Sequence, residues 1–172
     1  MLVPFTYRGW WITFHGVVLG GLFIVSLALV LMSLPQLRQE VLTPEGATVR
    51  LLWLRRGLLL MTVVAWSAVV VGTFVVDPWF HQHVAGSPLT LLEARPSLTF
   101  WTDIVLEWKE RISWTAAIVA SGGAYLARYY GDDLVWDRRA RLLIVAVFAV
   151  AFAAALAAGA MGLLLTKIAP VT

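Results

Sequence analysis

WWITFHGVVLGGLFIVSLALVLM, residues Trp10 to Met32, contains no Asp, Glu, Lys or Arg. A helix needs about 20 apolar residues to cross the hydrocarbon core of a bilayer, and this stretch meets that length. Working outward from it, Gly57 to Val76, Ile112 to Tyr130 and Leu142 to Ile168 repeat the pattern, with charge concentrated in the gaps between them. The sequence therefore predicts an all-α membrane protein, a single transmembrane domain over residues 1–172 with four transmembrane helices in an up-down bundle. The start of the chain has one Arg before the first apolar run and no small-residue cleavage pattern, so this run reads as a retained span.

The chain is 60% hydrophobic and 13% charged, which leaves little length for anything but spans and connections. It has no cysteine. That excludes thiolate-ligated iron–sulfur clusters, covalent c-type haem, disulfides and catalytic thiols. The net charge of +3 comes from residues flanking the spans, so it reads as a topology signal and not as a nucleic-acid footprint. The connection between spans one and two holds Arg38, Arg50, Arg55 and Arg56; that between spans three and four holds Arg128, Arg138, Arg139 and Arg141. By the positive-inside rule these turns face the cytoplasm, and both termini lie on the extracytoplasmic side of the cell (inner) membrane. Trp10, Trp11, Trp79, Phe80, Trp114, Tyr129 and Tyr130 sit at the span boundaries, as expected of rings at headgroup depth.

Helices in lipid associate through small residues that let backbones approach. Gly16, Gly20 and Gly21 in span one, Gly122 and Gly123 in span three, and Ala151, Ala155 and Gly159 in span four supply them, either within the bundle or against other membrane subunits.

Up-down threading brings all three histidines to one surface, together with Asp77, Asp103, Glu107 and Glu110. His15 lies inside an apolar span, where an ionisable residue raises a functional hypothesis. Imidazole is a common axial ligand of haem, and Gly16 and Gly72 would leave room beside it for a flat ring. His15 is thus a candidate ligand for a haem b or (bacterio)chlorophyll; the bland alternative is a hydrogen bond that sets helix register. His81 and His83 follow Asp77-Pro78 in a segment read as a loop, because Pro78 disfavours helix at Asp77. They can serve as a second axial ligand or hold a Cu or Zn ion with Asp77 or Glu110, although solvated histidines are the simpler reading.

From Ser97 to Arg111, Trp101, Ile104, Val105 and Trp108 recur at helical spacing, with Asp103, Glu107 and Glu110 on another face. This predicts an amphipathic interfacial helix before the third span, which either lies on the surface or continues into the span. Trp101, Asp103, Glu107, Trp108 and Glu110 form a candidate docking face for an extracytoplasmic redox protein.

No charged residue lies near a span centre, and there is no phosphate loop or metalloprotease pair, so independent enzymatic chemistry and ion translocation are not expected. The functional expectation is a small integral subunit of a multisubunit electron-transfer complex, respiratory or photosynthetic, that anchors or braces redox partners. The alternatives are a cofactor-free scaffold or assembly protein, and a metal-binding protein of the extracytoplasmic face.

Overall fold

The computed structural model describes residues 6–37 and 43–169, all helices and turns with no strand among them. Arg38, counted above among the topology signals, lies outside the described residues. Helix α1 (Tyr7–Gln36) starts on a Thr6 side chain that accepts from the Gly9 amide. Helix α2 (Pro44–Phe80) starts on Thr43, which accepts from Gly46, with Pro44 and Glu45 in its first turn. Each cap satisfies an amide that the helix itself leaves unpaired. A short helix α3 (Pro88–Glu93) follows, then α4 (101–130), then α5 (Arg138–Ile168), whose Asp137 cap accepts from the amides of Arg139 and Ala140. Helix α4 ends where Gly131 takes φ 53°, a conformation that favours glycine.

Three helices, α1, α2 and α5, are long and apolar enough to cross a membrane. Their large side chains face outward: Leu22, Val25, Leu59, Leu60, Val63, Val150 and Leu163 are all exposed. In water such a surface would aggregate; in lipid it is solvated. The expected third span, Ile112 to Tyr130, lies within α4, where Ser113, Ser121, Gly122, Gly123 and Arg128 dilute its apolar character. Its small residues turn inward instead, with Ala116, Ala117, Ala120, Gly123 and Ala127 buried.

The four long helices form a closed ring of contacts, α1 on α2, α2 on α4, α4 on α5 and α5 on α1. Their core gathers Leu27, Met61, Ala120, Ile144, Phe148 and Ala151, all fully buried. Trp66 donates from Nε1 to Ser121 Oγ at 3.0 Å and meets the Trp114 ring edge-on at 5.8 Å, joining α2 to α4. The glycines divide sharply. A Cβ on Gly123 would stand 2.9 Å from the Phe148 ring, whereas Gly16, Gly21, Gly122 and Gly159 face open space. Close approach is therefore made at Gly123 and at Gly72, not along the Gly16–Gly20 row of α1.

A second cluster, Phe80, Leu92, Val105, Leu106, Leu165 and Ala169, folds the segment after α2 onto the ends of α4 and α5. Ser87, the buried polar residue here, caps α3 and donates to the Gln82 carbonyl. The segment Ser97 to Arg111 is not a separate surface helix. After a turn at Pro96–Leu98 the chain becomes helical and continues without a break into α4. The expected apolar face also shifts: Val105 and Leu106 are buried, while Ile104 and Trp108 are exposed. The cause is a π-helical turn at Trp101–Leu106, whose extra residue rotates everything after it by about 100° relative to a regular 3.6-residue helix.

Candidate polar site at one end of the bundle

Three π-helical turns occur among the described residues, at Phe14–Leu19, Gly72–Val76 and Trp101–Leu106. Such turns cost regular hydrogen bonding and concentrate at functional sites. Here all three flank one cavity. His15 lies in the first, Gly72 and Thr73 in the second with Asp77 directly after it, and the third leads into Lys109 and Glu110. The cavity holds about 70 Å³ and is closed on its α4 side by Ser113 and Trp114.

Asp77 is not in a loop. Asp77–Phe80 completes α2 as a helical turn, with the His81 amide donating to the Asp77 carbonyl at 3.0 Å. Proline has no N–H to give an upstream carbonyl, and the wide turn at Gly72–Val76 already breaks the regular ladder there, so Pro78 is accommodated. The helical turn sets His81 beside Asp77, Nδ1 to Oδ1 at 3.0 Å. Glu110 approaches from α4, and ligand atoms of Asp77, His81 and Glu110 all lie within 4.8 Å of one another. His83 is exposed and stands outside this group.

Glu110 is the acidic residue that departs from the docking face. Glu107 turns outward to Arg111 at 3.0 Å and Asp103 is exposed, whereas Glu110 Oε1 is buried with no hydrogen-bond partner. Trp101 is half-buried against the second cluster, which leaves Asp103, Glu107 and Trp108 on the outer surface.

His15 packs its ring against Gly72 of α2. A Cβ on Gly72 would lie 2.6 Å from its Cε1, so Gly72 is the residue that lets the imidazole in. Its Nδ1 is buried without a hydrogen-bond partner. The His15 ring itself occupies the space beside Gly72, while Gly16 faces open space.

No motif in the sequence singles out Lys109. It lines the cavity with Asp77 and Glu110, although none of the contact ion pairs among the described residues involves it. Lys109 and Glu110 both precede the apolar stretch Ile112 to Tyr130. Burial pushes the Lys109 ammonium below the usual lysine range, partly offset by Glu110 and Asp77. Burial and the neighbouring Asp77 raise the Glu110 carboxyl above the usual carboxylate range. A carboxyl raised in the folded state binds protons more tightly than in the unfolded chain. Its contribution to stability is present at low pH and is lost as pH rises through the folded-state value. In the presence of a chelator, infrared difference spectra should accordingly show a protonated-carboxyl band that persists above the ordinary carboxylate range and is absent in Glu110→Gln. An unchanged spectrum in that variant would assign the band elsewhere.

Compared with protein-family models, curated proteins and solved structures, the chain matches none of them.

Proposed function

We propose that this chain is an integral membrane protein that binds a divalent cation through Asp77, His81 and Glu110 at the extracytoplasmic mouth of a four-helix, up-down bundle. The observation that carries the reading is the approach of one imidazole and two carboxylates to within 4.8 Å, with a buried oxygen of Glu110 left unpartnered. Buried polar atoms ordinarily find a partner, and each exception calls for an explanation such as an ion. One nitrogen and two carboxylate donors without thiolate suit Zn²⁺ or Mn²⁺ and argue against copper(I).

Contacts at matched heights support the antiparallel threading. His15 meets Gly72 at one end of α1 and Gln36 meets Arg50 at the other; Arg55 pairs with Asp132, and Gly123 meets Phe148. With Ile112 to Tyr130 as the fourth crossing, the Arg-rich turns face the cytoplasm and both termini the outside of the cell membrane.

Zinc and manganese content after dialysis tests the site. About one ion per chain is expected in the wild type and almost none in Asp77→Asn/Glu110→Gln. Lys109→Met should bind the ion more tightly, because it removes a competing positive charge from the same cavity. Equal metal content in wild type and the double variant would end the proposal.

A second reading, a subunit that braces an extracytoplasmic redox protein within an electron-transfer complex, is favoured by the exposed Asp103, Glu107 and Trp108. Its haem or chlorophyll form draws on the free Nδ1 of His15. Pockets for molecules of even drug size span about 300–1,000 Å³, so a tetrapyrrole at a cavity of about 70 Å³ requires α1 and α2 to part. Native gels separate these readings, since migration of the isolated chain alone under mild detergent is the result expected without stable partners.

A further inference from the structure

At the opposite, Arg-rich end, α1 and α2 line a groove of about 460 Å³. Leu29, Val30, Leu54 and Leu60 make its apolar length, and Gly57 leaves its floor open, with nothing near the position a Cβ would take. Arg50 and Arg56 stand at its rim with Trp53. Their neighbour Arg55 is neutralised by Asp132 at 2.9 Å. Arg50 instead donates to the neutral Gln36 at 2.6 Å, and Arg56 stacks over the Trp53 ring at 5.8 Å. Among the described residues neither guanidinium has a carboxylate at ion-pair distance.

From this combination we infer a binding site for an anionic phospholipid. One acyl chain lies along Leu29 and Leu60, and the phosphate sits between the guanidiniums of Arg50 and Arg56. Arginine suits this role because its planar donor fork matches phosphate oxygens. Basic pockets between transmembrane helices select anionic headgroups in the same way. The amphipathic Trp53 ring, two-thirds exposed beside the rim, belongs at the depth where headgroup gives way to chain. Charge decides the occupant: a zwitterionic lipid fills the apolar length equally well but brings its own cation to a rim that already holds two.

Native mass spectrometry of the full chain released from nanodiscs of mixed phosphatidylglycerol and phosphatidylcholine tests the site. One retained phosphatidylglycerol is expected, in preference to phosphatidylcholine. Its retention should weaken about fivefold in Arg50→Gln or Arg56→Gln and about 25-fold in the double variant. Arg138→Gln/Arg139→Gln, at the start of α5, controls for general loss of positive charge and should leave the adduct intact. Brominated phosphatidylglycerol should quench less fluorescence in Trp53→Phe than in the wild type. Equal retention of the two lipids, or equal loss in the α5 control, overturns the inference. Free inorganic phosphate should not displace the lipid; displacement would make the site one for soluble anions.

Discussion

Gly123→Leu is expected to lower the thermal midpoint of the detergent-solubilised protein by about 10 °C, the shift that about 3 kcal/mol produces in a chain of this size. The added side chain has nowhere to go. Even the first carbon would lie 2.9 Å from two atoms of the Phe148 ring and 3.2 Å from Val147. Phe148 is itself fully buried in the core, so it cannot swing aside without opening a void. Gly122→Leu, one residue earlier and facing open space, is the internal comparison and should change the midpoint by no more than about 2 °C. Similar losses at the two positions would show that α4 and α5 do not meet where the fold has them.

Gly72→Ala is expected to cost about 2 kcal/mol, or about 6 °C, despite being a change that favours helix in isolation by about 1 kcal/mol. The sign comes from one contact, the approach of the His15 ring to 2.6 Å from the new Cβ. Removing the ring should therefore rescue the variant: Gly72→Ala in a His15→Ala background should be neutral or stabilising. A double-mutant cycle isolates this coupling, with an interaction term of about 2 kcal/mol. A stabilised Gly72→Ala single variant would mean that the imidazole does not lie on α2, and the cavity described around it would lose one wall.

The candidate site was legible in the sequence only in its ingredients. His15, Asp77, His81 and Glu110 can be gathered at one surface by counting spans, because hairpin connections fix which helix ends are neighbours. The roles within that surface could not be read. Glu107 and Glu110 belong to one acidic face by helical spacing, yet Glu107 reaches out to Arg111 while Glu110 turns into the cavity. His81 and His83 follow Asp77 in the same short segment, but only His81 joins the carboxylate group. The shifted apolar face of residues 97–111 traces to the π-helical turn at Trp101–Leu106. An inserted residue in the hydrogen-bond ladder leaves no composition signal, but it changes the phase of every side chain that follows.

Lys109 shows the same limit from the other direction. Beside Glu107, Glu110 and Arg111 it reads as one more solvated charge, and its neighbours in sequence offer no hint of burial. What buries it is α5, whose Gly162 lies 53 residues away and within 3.5 Å of Lys109 Cε when measured from an ideal Cβ position.

Composition along the chain specifies the solvent. Apolarity is a local property that adds along the chain, so the long apolar runs of α1, α2 and α5 specify membrane helices whatever they pack against. It also determined the chemistry that is excluded, since no arrangement of this chain supplies a thiolate. Which polar groups meet follows from packing, because helix phase and the close contacts at Gly72 and Gly123 depend on partners distant in sequence. Burial in the resulting interhelical space, not residue type, is what sets Glu110, Lys109 and His15 apart from exposed groups such as Glu107, Arg111 and His83.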